Sequence, residues 1–192
     1  MRASGTLYLS YGSDRAAGWL LAYDLRKDIV LWQANYPSGV DSMSISPDGK
    51  TIYMPTGELS SGGIWEVLDA KTGSVIGSID SKGVGPHNTV VSADGSHVYM
   101  GPRFSDYAAA ANTANRAVTD QICPVKSGVR PFVINRGETL AFLIQPIFLA
   151  FRWGISIRAG SSLQCRCWAF QAPADRSRAT GFPCHPMKRK SI

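Results

Sequence analysis

The chain has 192 residues, 44% of them hydrophobic, with 19 glycines and a formal net charge of +6. That length suffices for one domain with a substantial core, and the composition suits a turn-rich all-β protein. Residues 1–157 carry 13 Lys/Arg and 13 Asp/Glu, so the excess positive charge lies in residues 158–192, which rules out the basic groove with interspersed aromatics that nucleic-acid binding requires.

Met1-Arg2-Ala3-Ser4-Gly5 carries one positive charge and no long apolar core behind it, so it does not read as a secretion signal. Thr6-Leu7-Tyr8-Leu9 reads as a strand, Gly12–Gly18 as a hairpin loop and Trp19-Leu20-Leu21-Ala22-Tyr23 as the next strand. Asp24-Leu25-Arg26-Lys27-Asp28 is a turn, since Asp bonds the backbone two residues on, and Val30-Leu31-Trp32 follows as a strand.

The same order then repeats. SMSISPDGKTIYM spans Ser42–Met54, the glycine-rich loop Gly57–Gly63 follows, and Ile64-Trp65-Glu66-Val67-Leu68 leads into the turn Asp69–Gly73 and the strand Val75-Ile76-Gly77. TVVSADGSHVYMG at Thr89–Gly101 starts a third unit, with its turn at Asn112–Arg116, and PFVINRGETLAF at Pro131–Phe142 starts a fourth that fades at Ile157-Arg158-Ala159-Gly160. The last turn positions, 28, 73, 116 and 160, are 45, 43 and 44 residues apart. Four short strands per unit at this period are the mark of β-propeller blades. The sequence thus predicts an all-β, partial β-propeller of three to four four-stranded antiparallel blades, at 5–35, 41–80, 87–122 and 130–160. An irregular Cys/Arg-rich tail is predicted over 161–192. Tyr8, Trp32, Tyr53, Trp65 and Tyr99 are expected to pack between neighbouring blades.

The first unit opens on what should be its second strand, so the chain is expected to start in mid-blade. Back-translating Thr180–Lys190 and reading two bases later permits the string GISLSPDEKE, another copy of the blade signature. A frameshifted end is therefore one expectation for the tail, and a basic disordered extension is the other. The run Leu140–Phe151 is too short to span a bilayer.

SPDGKTIYM followed by VLDAKTGSVIGSI resembles the YVTN-type β-propeller repeat, within the wider group resembling the β chain of quinoprotein amine dehydrogenases. LAYDLRKDIVLWQ resembles a pyrroloquinoline-quinone-type propeller repeat more weakly, and the Trp-Asp dipeptide of WD40 blades is absent. The resemblance covers residues 5–160. It implies the fold, and it implies a family of periplasmic or extracellular proteins that includes surface-layer proteins, lactonase-like enzymes and members without known activity.

One register position stands out. Asp41 lies four residues before the inner-strand Ile45, and its equivalents are His87, before Val91, and Arg130, before Ile134. Each follows a Gly-x dipeptide: Gly39-Val40, Gly85-Pro86 and Gly128-Val129. An inner strand lines the central channel of a propeller, so these three are expected at its mouth. There they either hold a small molecule or protein ligand (an anion, a metal or a sugar-like group) or simply line a wet channel. His87 can act as a base only if a carboxylate tunes it.

No catalytic residue, metal ligand set or cofactor is assigned from the sequence. Cys165 and Cys167 lack a second pair at metal-site spacing, Cys123 and Cys184 stand apart, and His97 and His185 carry no motif. The loop Gly57–Gly63 has no Lys-Ser/Thr to bind phosphate, Asp48 and Asp94 are hairpin turn residues, and no Gly-x-Ser-x-Gly element is present. The expected function is a binding or scaffold propeller. The alternative is part of a lactonase-like or quinoprotein-like enzyme with its site at the channel mouth. Open sheet edges also allow self-association.

Overall fold

The computed structural model describes residues 5–12, 17–122, 128–129, 131–144, 150–157 and 164–171. Among these, every regular element is a strand, and no helix is long and apolar enough to cross a membrane. The strands form four antiparallel sheets in chain order. The first contains β1 (Thr6–Gly12), β2 (Gly18–Asp24) and β3 (Ile29–Tyr36). The second contains β4 (Ser44–Ile45), β5 (Thr51–Pro55), β6 (Ile64–Asp69) and β7 (Val75–Asp80). The third contains β8 (Pro86–Val91), β9 (His97–Pro102), β10 (Ala108–Asn112) and β11 (Val118–Ile122). The fourth contains β12 (Phe132–Ile134), β13 (Leu140–Ile144), β14 (Ala150–Ile157) and β15 (Gln164–Gln171). Each sheet is an up-and-down meander, the construction of a propeller blade, and the chain is a partial β-propeller.

The turns explain why the units repeat. Asp24, Asp69 and Asn112 each accept at the side-chain oxygen Oδ1 from two backbone N–H groups, two and three residues on. Each turn then closes on a left-handed residue: Asp28 (φ 60), Gly73 (φ 73) and Arg116 (φ 61). The hairpins joining the first two strands of the second and third sheets use a second device. Asp48 accepts from the Ser46 hydroxyl and the Lys50 N–H, Asp94 accepts from the Ser92 hydroxyl and the Ser96 N–H, and Gly49 and Gly95 supply positive φ.

The core lies between sheets, in three slabs. Leu20 and Tyr36 of the first sheet meet Ile52, Met54 and Leu68 of the second. Tyr53, Trp65, Val67 and Ile79 meet Val98, Met100, Ala109 and Ala111 of the third. Tyr99, Ala108, Ala110 and Ile122 meet Phe132, Ala141 and Leu143 of the fourth. Successive residues of a strand point to opposite faces, so β5 sends Ile52 and Met54 one way and Tyr53 the other. Burial on both faces is why Ile52-Tyr53-Met54 and Val98-Tyr99-Met100 are continuous apolar runs and not alternating ones. The alanines of β10 are weak strand formers, but their small side chains serve close packing on both faces. On β1, by contrast, Leu7 and Leu9 are 45% and 48% exposed.

The aromatics act as cross-ties. Tyr8 and Trp32 both donate to the Ala70 carbonyl at 3.2 Å, and Trp65 donates to Thr89 Oγ1 at 2.7 Å. Tyr99 donates to Glu138 at 2.5 Å, linking the third sheet to the fourth.

β15 falls within the residues that composition set apart as a tail. Its sequence opens on alternating Gln164-Cys165-Arg166-Cys167 and continues as the apolar run Cys167-Trp168-Ala169-Phe170, a strand-forming stretch that the basic composition obscured. It completes a fourth four-stranded sheet and pairs with β14 from Ala150↔Gln171 to Ile157↔Gln164. Gly160 and residues 172–192 lie outside the described residues.

Candidate functional site

The inner strands lie side by side at their starts. Ser42 forms an isolated parallel bridge with Asn88, and Asn88 Oδ1 accepts the Phe132 N–H at 2.8 Å. Asn88 thus links the leading ends of three successive units.

Asp41 precedes β4 and is fixed by its own neighbour. Its Oδ1 accepts the Ser42 N–H at 2.7 Å and the Ser42 hydroxyl at 3.2 Å, while Ser10 donates to its backbone carbonyl at 3.1 Å. That leaves Oδ2 directed at the third sheet, where it stands 2.9 Å from His87 Nδ1. His87 sits where the β8–β9 register shifts between Pro86 and Asn88. The bulge adds a residue that no partner opposes, and such bulges re-aim a side chain.

Two further residues complete the cluster. Glu58, from the β5–β6 loop, places Oε2 3.7 Å from His87 Nδ1, and its Oε1 pairs with Arg103 Nη1 at 2.5 Å. Arg103 follows β9, donates its backbone N–H to the Gly85 carbonyl at 2.7 Å, and lies 5.0 Å from the centre of the Phe104 ring. The side chains of Asp41, Glu58 and His87 are 18%, 13% and 14% exposed, and that of Arg103 is 29% exposed. The three donor groups of Asp41, Glu58 and His87 lie within 4.8 Å of one another.

Gly85 makes the close approach possible. It holds φ 73, and a Cβ there would stand 2.6 Å from the Glu58 carbonyl oxygen. The backbone of the β5–β6 loop therefore rests on the chain two residues before His87.

Of the sequence-predicted trio, Asp41 and His87 meet in a hydrogen bond, and Arg130 lies outside the described residues. Glu58 and Arg103 were not singled out by sequence reasoning. Glu58 stands in a loop without a motif, and its only signal was the length of that loop. Arg103 lies one residue past β9, and nothing in its surroundings marks it. His97, at the head of β9, belongs to a separate pairing, with Nδ1 3.1 Å from Glu138 Oε2.

Chemically, the arrangement offers a carboxylate-oriented imidazole beside a second carboxylate and a guanidinium. A neutral ring that donates Nδ1–H to Asp41 carries its lone pair on Nε2.

No protein-family model matches this chain, and no curated protein matches it by sequence. Solved structures do. The chain is similar to Kuenenia stuttgartiensis hydrazine synthase, at 19% identity and a TM-score of 0.63 over 78% of this chain and 42% of that one. It is similar to the dihydro-heme d1 dehydrogenase NirN in complex with DHE, at 15% identity and a TM-score of 0.61 over 85% of this chain and 34% of that one. A functionally unknown protein from Desulfotomaculum acetoxidans DSM 771 matches at 13% identity and a TM-score of 0.65, over 85% of this chain and 55% of that one. The chain spans between a third and somewhat over half the length of these structures. At such identities the likeness is one of fold, shared by enzymes and by a protein of unknown function.

Proposed function

We propose that this chain is a binding module built of YVTN-type propeller repeats, and that it takes a small polar ligand at the mouth formed by the starts of its inner strands. The observation that carries this reading is the convergence of Asp41, Glu58, His87 and Arg103 from two adjacent sheets. Burying two carboxylates side by side costs free energy that a fold has no need to spend, and mutual pairing offsets only part of it. Arg130 joins the proposal by register, since Gly128-Val129 precede it as Gly39-Val40 precede Asp41. The YVTN resemblance supports a periplasmic or extracellular setting for the same reading.

The chain has three histidines, so ring-labelled histidine gives few signals. Titration with acetate, inorganic phosphate, a methyl glycoside and a divalent cation should move the His87 resonances with at least one probe, and His87→Ala should abolish that response. Unmoved His87 signals across all four probes would remove the binding reading.

One observation favours a second reading, catalysis. The Asp41–His87 contact at 2.9 Å places a carboxylate where it orients the ring of a histidine base. A lactonase-like hydrolase would use Nε2 to take a proton from water. Lactone turnover that disappears in Asp41→Asn while the fold is kept would establish this reading over simple binding.

A further inference from the structure

We propose that Asp41, Glu58 and His87 form a binding site for a divalent first-row transition-metal ion. The proposal deepens the reading of the mouth as a binding site and rests on it.

The deciding geometry is at one atom. His87 Nδ1 faces two carboxylate oxygens, Asp41 Oδ2 at 2.9 Å and Glu58 Oε2 at 3.7 Å. Both oxygens lie close enough to Nδ1 for one ion to be shared by the three groups. An ion among the three serves both carboxylates and the ring. Ligand atoms about 2.0–2.2 Å from a shared tetrahedral ion stand roughly 3.3–3.6 Å apart. The observed 2.9 and 3.7 Å bracket that spacing, and no pair among the three exceeds 4.8 Å. Small rotations of the Asp41 and Glu58 carboxylates therefore close the shell.

The supports around the three are those a metal site needs. Ser42 holds Asp41 Oδ1, so Oδ2 is presented, and Arg103 holds Glu58 Oε1, so Oε2 is presented. Charge agrees with the geometry. Among the described residues, two carboxylates share this cluster with one guanidinium and one imidazole, in side chains that are at most 18% exposed apart from Arg103. A divalent ion at the centre of the cluster offsets the charge of the two carboxylates. Donor type sets the metal class: an imidazole nitrogen favours zinc, cobalt, nickel or iron over calcium and magnesium, whose shells are all oxygen. Three protein ligands leave a fourth position for water or a ligand.

The test uses the full chain with Cys123, Cys165, Cys167 and Cys184 changed to serine, since thiolates compete for zinc. After chelator treatment, calorimetric titration with Zn2+ should show one ion per chain. Titration with Co2+ should give visible absorption bands of a low-coordinate N/O site. His87→Ala should remove the Co2+ bands. The near-isosteric Asp41→Asn and Glu58→Gln should each weaken Zn2+ binding by roughly ten-fold or more, with the strand circular-dichroism signal unchanged. The proposal is overturned if His87→Ala binds Zn2+ as tightly as its parent, or if Ca2+ binds with equal affinity and ignores that substitution. Silence toward both metals while acetate, phosphate or the glycoside still moves His87 would sink the ion and spare the mouth as a ligand site.

Discussion

The indole Nε1 of Trp65 donates to the hydroxyl of Thr89 at 2.7 Å, across the slab between the second and third sheets. Trp65 is fully buried and Thr89 is 5% exposed, so water cannot replace the partner if it is lost. Thr89→Val keeps the shape but strands the indole donor, and should cost about 1–3 kcal/mol. Trp65→Phe removes the donor itself. The double variant should then lose less than the two single losses combined. Urea unfolding of the four proteins measures this coupling, and strict additivity would show that the bond contributes nothing.

The blade turns make stability depend on acid pH. The backbone N–H of Ser96, and then the hydroxyls of Ser92 and Ser96, hold the Asp94 carboxyl well below the usual carboxylate range. The Ser46 hydroxyl and the Lys50 N–H lower Asp48, and the Thr72 hydroxyl and N–H lower Asp69. A depressed folded-state value means that the unfolded chain binds more protons as pH falls, so folding loses stability there and regains it as pH rises. The thermal midpoint should drop as pH is lowered from 5 to 2, and Asp94→Asn should flatten that slope. At the alkaline end the sign reverses. Burial, and then the Glu66 charge, push the Tyr36 phenol up to about 12, so its contribution is present below the ordinary tyrosine value and fades between that value and about 12. Tyr36→Phe should remove that alkaline loss while forfeiting the bond to the Gly73 carbonyl.

What the sequence made legible was whatever a single unit decides for itself. Asp24, Asp69 and Asn112 bond within five residues of themselves, and the continuous runs of β5 and β9 register burial on two faces, so both read directly. Asp41 and His87 were found because they share a register in adjacent units. Glu58 and Arg103 were not, because their meeting depends on where a long loop lands on the next sheet. The bulge at His87 was equally silent, since no residue type there compels it. β15 was hidden by composition: the arginines and cysteines around it masked a short apolar, aromatic-bearing strand.

The two faces of neighbouring sheets should respond differently to substitution. Ile52 is fully buried in the first slab, whereas Leu9 on β1 is 48% exposed. Ile52→Ala should cost about 2–5 kcal/mol through lost burial and the cavity it leaves. Leu9→Lys should change stability by no more than about 0.5 kcal/mol, because little burial is given up. Denaturant midpoints of the two variants decide this, and a large loss in Leu9→Lys would mean that β1 is covered in solution.

Gly85 ties the fold to the site, and its substitution should separate stability from binding. Any side chain there must adopt φ 73 and must also clear the Glu58 carbonyl oxygen, 2.6 Å from where a Cβ would be. The backbone strain alone costs about 1–2 kcal/mol. The clash is with backbone and cannot be relieved by a rotamer change, so the β5–β6 loop must lift from the third sheet. Lifting it carries Glu58 Oε2 away from His87 while the Asp41–His87 contact, made from other segments, stays. Gly85→Ala should therefore resemble Glu58→Gln in any response read at His87, with an added fall in thermal midpoint that Glu58→Gln lacks. Histidine-ring resonances and thermal unfolding of both variants provide the comparison. A Gly85→Ala protein with parental stability and an undisturbed His87 signal would show that the loop does not rest on this glycine.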